Sequence, residues 1–231
     1  MPEVTLSAAD GGKFSAYLAK PAAGRGAGLV VCQEIFGVNQ VMRDLCDGFA
    51  AQGFFAICPD LFWRQQPGIQ ITDKTEAEWK RAFELFQGFD QDKGVEDLKA
   101  TLAYVRFVPG CNSKAGAVGY CLGGKLAYSM ATRTTSDASV GYYGVGIEGA
   151  LDEAKNIKKP LMLHIAEKDA YCPPEAQAKI KAGLGGNRLV TIHTYPGADH
   201  AFARMGGQHY DKAAADLANS RTAEFLKKNL A

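Results

Sequence analysis

The stretch Ala115-Gly-Ala-Val-Gly-Tyr-Cys-Leu-Gly-Gly124 decides how this chain is read. A short apolar run ends in Gly119-Tyr-Cys-Leu-Gly123, and a helical pattern, Lys125-Leu-Ala-Tyr-Ser-Met-Ala131, follows at once. This is the Gly-x-nucleophile-x-Gly signature of a sharp strand-to-helix turn, with cysteine at the position where serine is more usual. Such a turn forces the middle residue into an awkward backbone conformation, and glycines beside it let neighbouring chain pass close. The helix start offers free N–H groups and a positive dipole end, which favour a thiolate and a developing oxyanion. The rival reading is a glycine-rich turn around a buried, inert cysteine. Residues further along the chain favour the reactive one.

Working outward, the segments on either side alternate between strand and helix. Residues 3–6 and 14–18 flank Asp10-Gly-Gly12 and read as a hairpin at a sheet edge. Leu29-Val-Val-Cys32 and Phe54-Phe-Ala-Ile-Cys58 are apolar runs suited to strands buried on both faces. Between them lie the loop Gln33-Glu-Ile-Phe-Gly37 and a helix over 41–52, capped by Asn39 and stopped by Gly53. Residues 61–73 are irregular, rich in Gln, Pro and aromatics, and of a kind that lies over a site. Helices over 74–89 and 91–107 follow, with Asp90 as a cap between them. Beyond the elbow come strands at 139–143, 160–165 and 189–195 and helices at 174–184 and 212–228, the first two strands joined by a polar segment. Strands alternating with helices predict an α/β fold, a mostly parallel central sheet with helices on both faces, as one domain spanning 1–231.

Composition narrows the function. The 231 residues suffice for one good core, and 47% hydrophobic against 22% charged residues is the balance of a soluble globular protein. A formal charge of +1 gives no electrostatic footprint for nucleic acid or an anionic membrane. Met1-Pro-Glu-Val-Thr5 lacks the basic flank and apolar core of a signal peptide, and no apolar stretch approaches a membrane span. Cys32, Cys46, Cys58, Cys111, Cys121 and Cys172 include no C-x-x-C pair and no zinc spacing. The expectation is a cytoplasmic protein with reduced thiols and no metal.

A nucleophile on such a turn needs an acid and then a histidine, in that chain order, in the α/β-hydrolase arrangement. Leu163-His-Ile-Ala-Glu-Lys-Asp169 supplies the acid past a strand end. Asp169, just before the turn Tyr171-Cys-Pro-Pro174, is preferred over Glu167. Pro196-Gly-Ala-Asp-His200 supplies the histidine in the loop after the last strand. His164 and His193 lie inside strands and read as core residues, and His209 sits in a polar stretch and reads as solvated. In this arrangement Cys121 attacks a carbonyl carbon, His200 moves the proton, and Asp169 fixes the tautomer of the imidazole. The oxyanion donors are then the backbone N–H groups of Leu122 and, from the loop after the first buried strand, Ile35.

Gln33-Glu-Ile-Phe-Gly-Val-Asn39, Cys58-Pro-Asp-Leu61, the elbow, Gly141-Tyr-Tyr-Gly144, His200-Ala-Phe-Ala-Arg204 and Ala218-Asn-Ser-Arg-Thr222 together resemble the dienelactone hydrolase family, from about Val4 to the last helix. The resemblance implies a monomeric α/β-hydrolase that opens an enol-lactone in the degradation of aromatic compounds, with a Cys-His-Asp triad and no cofactor. Carried over by motif, that triad is Cys121, His200 and Asp169. The resemblance adds Glu34, which in the family lies beside the thiol, and Arg204, which pairs with that glutamate and binds the substrate carboxylate. A carboxylate there disfavours the thiolate, so the resting thiol is expected to be neutral until substrate draws Arg204 away. The chain departs from the family where a second carboxylate-binding arginine belongs: Trp79 stands there, and Arg81 lies two residues on, on a nearly opposite helix face. Phe83 and Phe86 replace a tyrosine and a tryptophan. Read as pocket lining, the three aromatics imply a less polar substrate site. Read as a helix stripe, they are core.

The leading expectation is therefore a hydrolase opening a small lactone through a thioacyl-enzyme. The alternatives are a general carboxylesterase or thioesterase on the same scaffold, and a silent scaffold used for binding.

Overall fold

The computed structural model describes residues 3–231. Eight strands form a sheet in the order β1-β2-β4-β3-β5-β6-β7-β8, and contacts group the chain into two compact units that divide within β5, at Gly116.

In the first unit β1 (Glu3–Ser7) and β2 (Lys13–Ala19) form the expected hairpin, and β2 runs antiparallel to β4 (Phe55–Pro59). β3 (Gly26–Cys32) lies parallel to β4. Leu29, Val30, Val31 and Cys32 are fully buried, as an apolar run without alternation requires. α1 (Gln40–Ala51) packs against β4 and is capped by Asn39, whose side chain accepts the Met42 N–H. α2 (Glu76–Gln87) starts two residues later than the pattern suggested. Its cap is Thr75, and Glu78 answers that cap in a Thr-x-x-Glu box. α3 (Gln91–Arg106) is capped by Asp90, whose side chain accepts the Lys93 N–H.

The excursion over 61–73 is tied down at several points. The Asp60 carboxylate accepts the N–H groups of Phe62 and Gly68, and Asn39 Nδ2 donates to the Ile71 carbonyl. Asp97, fully buried on α3, receives both the Trp63 indole N–H and the Arg64 guanidinium. Gly37 pairs with Gln70 at φ +76, and a Cβ there would meet the Ile69 carbonyl oxygen at 2.0 Å, so only glycine allows the excursion to lie on this turn.

The second unit carries the parallel run β5 (Cys111–Tyr120), β6 (Ser139–Tyr142), β7 (Leu161–Ala166) and β8 (Val190–Tyr195). The polar segment between β6 and β7 is not loop throughout: Ile147–Asn156 forms 3-10 turns broken at Ala150, with Ile147 and Ala150 facing the core. α4 (Leu122–Arg133) packs on β6, α5 (Pro174–Leu184) on the 3-10 segment, and α6 (Lys212–Leu230) on β7. Gly124 permits the close seating of α4, because a Cβ there would lie 2.4 Å from the Tyr142 carbonyl oxygen.

Among the described residues no helix is long and apolar enough to cross a membrane, and no group of three or more His, Cys, Asp or Glu side chains could hold a metal ion. All six cysteines are free thiols.

Candidate active site

Cys121 closes β5 and opens α4 at φ +56, ψ −116, a left-handed conformation that a non-glycine residue adopts only under local constraint. The constraint is visible on both sides. Its N–H donates to the Tyr142 carbonyl at 3.1 Å, and its carbonyl accepts the Gly124 N–H at 2.9 Å. Leu122 is the first helical residue, so its N–H has no acceptor within the helix.

Asp169 and His200 reach Cys121 from the loops after β7 and β8. The Asp169 Oδ2 lies 2.8 Å from His200 Nδ1, and its Oδ1 accepts the Tyr171 N–H at 2.8 Å. Both side chains are buried, at 2% and 7% exposure, and His200 also hydrogen-bonds to Cys121. Burial disfavours a charged imidazole, but the negative charge of Cys121 and the hydrogen bond to Asp169 outweigh it. The His200 pKa rises from 6.5 to about 10. Cys121 and Asp169 together thus favour the protonated ring.

The choice between the two carboxylates of this loop is geometric. Glu167 points the other way and accepts the Gly197 N–H at 2.8 Å, while the Lys168 N–H donates to the Ala198 carbonyl at 2.9 Å. These bonds lace the acid loop to the histidine loop. Gln177, buried on α5, donates from one amide nitrogen toward the carbonyls of Ala166, Glu167 and Cys172, which bracket Asp169.

Two walls around His200 were not foreseen from the sequence. The Tyr143 ring stands edge-on at 5.2 Å and the half-exposed Tyr171 ring at 4.8 Å. Tyr143 is also at positive φ, +38, so the strand predicted to run through it ends at Tyr142. His209 is exposed, as expected, and its Nδ1 lies 3.3 Å from the His200 carbonyl and 3.7 Å from Asp199 Oδ2. Arg204 is buried in the turn after His200, with its N–H on the Ala201 carbonyl.

The remaining predicted site residues belong to the first unit. Glu34 and Ile35, at 3% and 6% exposure, form the turn after β3. Gln33 braces that turn, donating to the Glu34 carbonyl and accepting the Leu61 N–H. On α2 the fully buried side chains are Ala82 and Leu85, and the three aromatics lie beside them, half-buried or exposed. Trp79 stands edge-on to Phe36 at 5.1 Å and stacks on Phe83 at 5.7 Å, leaving Phe83 36% exposed, and Phe86 is half-buried. Arg81 is committed elsewhere, to Glu84 at 3.0 Å and Gln66 at 2.7 Å.

The model of the dienelactone hydrolase family matches residues 14–230. A protein of Azospirillum brasilense that carries a provisional carboxymethylenebutenolidase name is 56% identical over 234 residues, with 100% of both chains covered. Carboxymethylenebutenolidase 1 of Cupriavidus pinatubonensis is 40% identical over 223 residues, covering 96% of this chain and 95% of its own. A crystal structure from Klebsiella pneumoniae, provisionally named a dienelactone hydrolase, has a TM-score of 0.84 at 26% identity and covers 98% of each chain. With a matched model across nearly the whole sequence and a strained cysteine at its elbow, this chain belongs to the dienelactone hydrolase family and is a hydrolase of carboxylic esters or lactones.

Proposed function

We propose that the chain opens a small enol-lactone by covalent catalysis, with Cys121 as nucleophile, His200 as proton carrier and Asp169 as the residue that orients it. The observation that carries this reading is the Asp169–His200–Cys121 line, buried and ending on a cysteine held at φ +56. The Cys121 sulfur adds to the lactone carbonyl carbon, and the oxyanion is met by the Leu122 N–H and, by the family pattern, that of Ile35. Collapse breaks the ring C–O bond and leaves a thioester on Cys121, and the enolate takes the His200 proton. A water then gives its proton to His200 and adds to the thioester, and the thiolate leaves as the carboxylate product forms. An enolate is a good leaving group, which lets the tetrahedral intermediate collapse forward rather than expel the thiolate. Amides, with poorer leaving groups, fit less well.

Carried over from the family, Glu34 restrains the thiol and Arg204 receives the substrate carboxylate. A protonated His200 favours negative charge on the sulfur beside it, and the Glu34 carboxylate opposes that charge. Glu34→Gln is then expected to alkylate faster at Cys121, by roughly tenfold for each pH unit of restraint removed. An unchanged rate would leave Glu34 without this role.

One observation favours the wider esterase reading. Trp79 stands stacked on Phe83 where the family has an arginine, and Arg81 is engaged with Glu84 and Gln66. A site short of one cation depends less on a substrate carboxylate. Steady-state hydrolysis of cis-dienelactone beside p-nitrophenyl acetate separates the two readings, with the acyl-enzyme trapped by acid quench and weighed. Fast lactone opening with the added mass on Cys121 is the expected result. Slow lactone turnover with fast aryl-ester cleavage through the same cysteine would move the substrate to less polar esters, and no added mass would end the covalent mechanism.

A further inference from the structure

The second unit holds a buried polar chain that the triad does not use. His164, on β7, is 1% exposed and has both ring nitrogens engaged. Its Nδ1 lies 2.8 Å from the Tyr195 hydroxyl and its Nε2 lies 2.9 Å from Thr222 Oγ1. Thr222 Oγ1 is in turn 2.6 Å from the Tyr142 hydroxyl, which donates to Asn219 Oδ1 at 3.0 Å. At the other end Arg221 donates to the Tyr195 hydroxyl oxygen at 3.2 Å. Asn219, Arg221 and Thr222 all come from the α6 motif Ala218-Asn-Ser-Arg-Thr222.

Counting hydrogens gives the chain a direction. An arginine only donates, a carbonyl oxygen only accepts, and each hydroxyl has one hydrogen to give. The Tyr142 hydrogen goes to Asn219, so Thr222 must donate to Tyr142. Thr222 then has to accept from His164 Nε2–H, which leaves Nδ1 bare to accept the Tyr195 hydrogen, while the Tyr195 oxygen accepts from Arg221. Every hydrogen is used once. Burial, with His193 and Arg221 nearby, pushes the His164 pKa well below its ordinary value, in keeping with a ring that carries a single proton.

Two members of the chain, His164 and Tyr195, lead to His200. The His164 carbonyl accepts the Tyr143 N–H at 2.8 Å, and the Tyr143 ring is the one standing edge-on to His200. The Tyr195 ring packs at 4.8 Å on Phe202, which packs at 5.5 Å on Tyr143. The Tyr195 carbonyl accepts the N–H groups of Glu167 and Ala198, in the loops that carry Asp169 and His200.

We propose that His164, held as the Nε2–H tautomer between Thr222 and Tyr195, is a positioning residue for the triad, and that the α6 motif serves to close its hydrogen-bond chain. This rests on the Cys121 reading and adds a set of residues to it. Thr222→Val keeps the side-chain shape and removes both donor and acceptor, whereas Thr222→Ser keeps the hydroxyl. The valine variant is expected to lose roughly tenfold in kcat through misplacement of His200. Its KM should stay within about twofold and its pH–rate profile should shift, and the serine variant should match wild type. Nitrogen-15 spectra of the wild-type imidazoles should show His164 as the Nε2–H tautomer across the working pH range.

A valine variant that melts lower but keeps the wild-type kcat and pH profile would overturn the positioning role, as would an Nδ1–H signal for His164. A wild type whose hydrolysis survives Cys121→Ala overturns the triad itself, and the positioning role with it.

Discussion

Cys121→Ala is expected to lose at least roughly 10⁴-fold in kcat on lactone and aryl ester alike, because the nucleophile of a triad acts as a unit with its base. The fold itself should tolerate the change. Alanine has no group to titrate and little bulk, so the φ of +56 costs it no more than it costs cysteine. The elbow hydrogen bonds to Tyr142 and Gly124 are made by backbone and survive. Cys121→Ser is the sharper comparison. It puts an oxygen nucleophile at the same place, but a hydroxyl ionises far less readily than a thiol and takes away the Cys121 contribution to the raised His200 pKa. The serine therefore depends on His200 as a general base that must first be neutral, and should remain slow. Steady-state rates of the three proteins on both substrates check this. If the alanine variant kept wild-type turnover, the covalent reading would fall, whatever the geometry of the neighbouring histidine.

How much of this was legible beforehand depended on whether the cause was local. The elbow was readable because its glycines, its cysteine and the helix behind it lie within ten residues, and the order of Asp169 and His200 follows from the succession of strands. Asn39 and Asp90 announced their helices by the same local chemistry. The Thr75-x-x-Glu78 box is equally local, yet the periodic pattern begins at Lys74, two residues before the helix does. The first half of β5, Cys111-Asn-Ser-Lys114, is exposed or partly exposed, so no apolar run marked it as strand. What could not be read was contact between distant residues. Tyr143 and Tyr171 flank His200 only because one follows the end of β6 at positive φ and the other follows Asp169 by two residues. Gln177 looked like any helix residue, and its grip on three carbonyls exists only once α5 lies under the acid loop. His164 was rightly read as core, but its partner on α6, Thr222, lies 58 positions away.

Asp169→Asn is expected to lower kcat/KM on the order of 10²–10³-fold, and the reason lies in protons rather than packing. Asparagine fits the same volume, but its amide can donate to His200 Nδ1. That stabilises the tautomer with its proton on Nε2, facing Cys121, which can no longer take the thiol proton. The loss is held below that of a serine triad, because Cys121 itself draws charge onto the ring. The pH dependence follows with a definite sign. The wild-type His200 pKa lies above its unfolded value of 6.5, at about 10, so the stability gained from the charged ring is full below pH 6.5 and fades as pH rises toward 10. Removing Asp169 withdraws one source of that rise. The alkaline limb of kcat/KM, set in wild type by loss of the His200 proton, should move down toward neutrality in the variant. The gap between the two melting temperatures should be widest near pH 6 and should close as pH approaches 10. A pH–rate profile paired with melting curves over that range tests both statements. An unmoved alkaline limb would mean that Cys121 alone holds the proton on His200, and Asp169 would then be an orienting group without electrostatic effect.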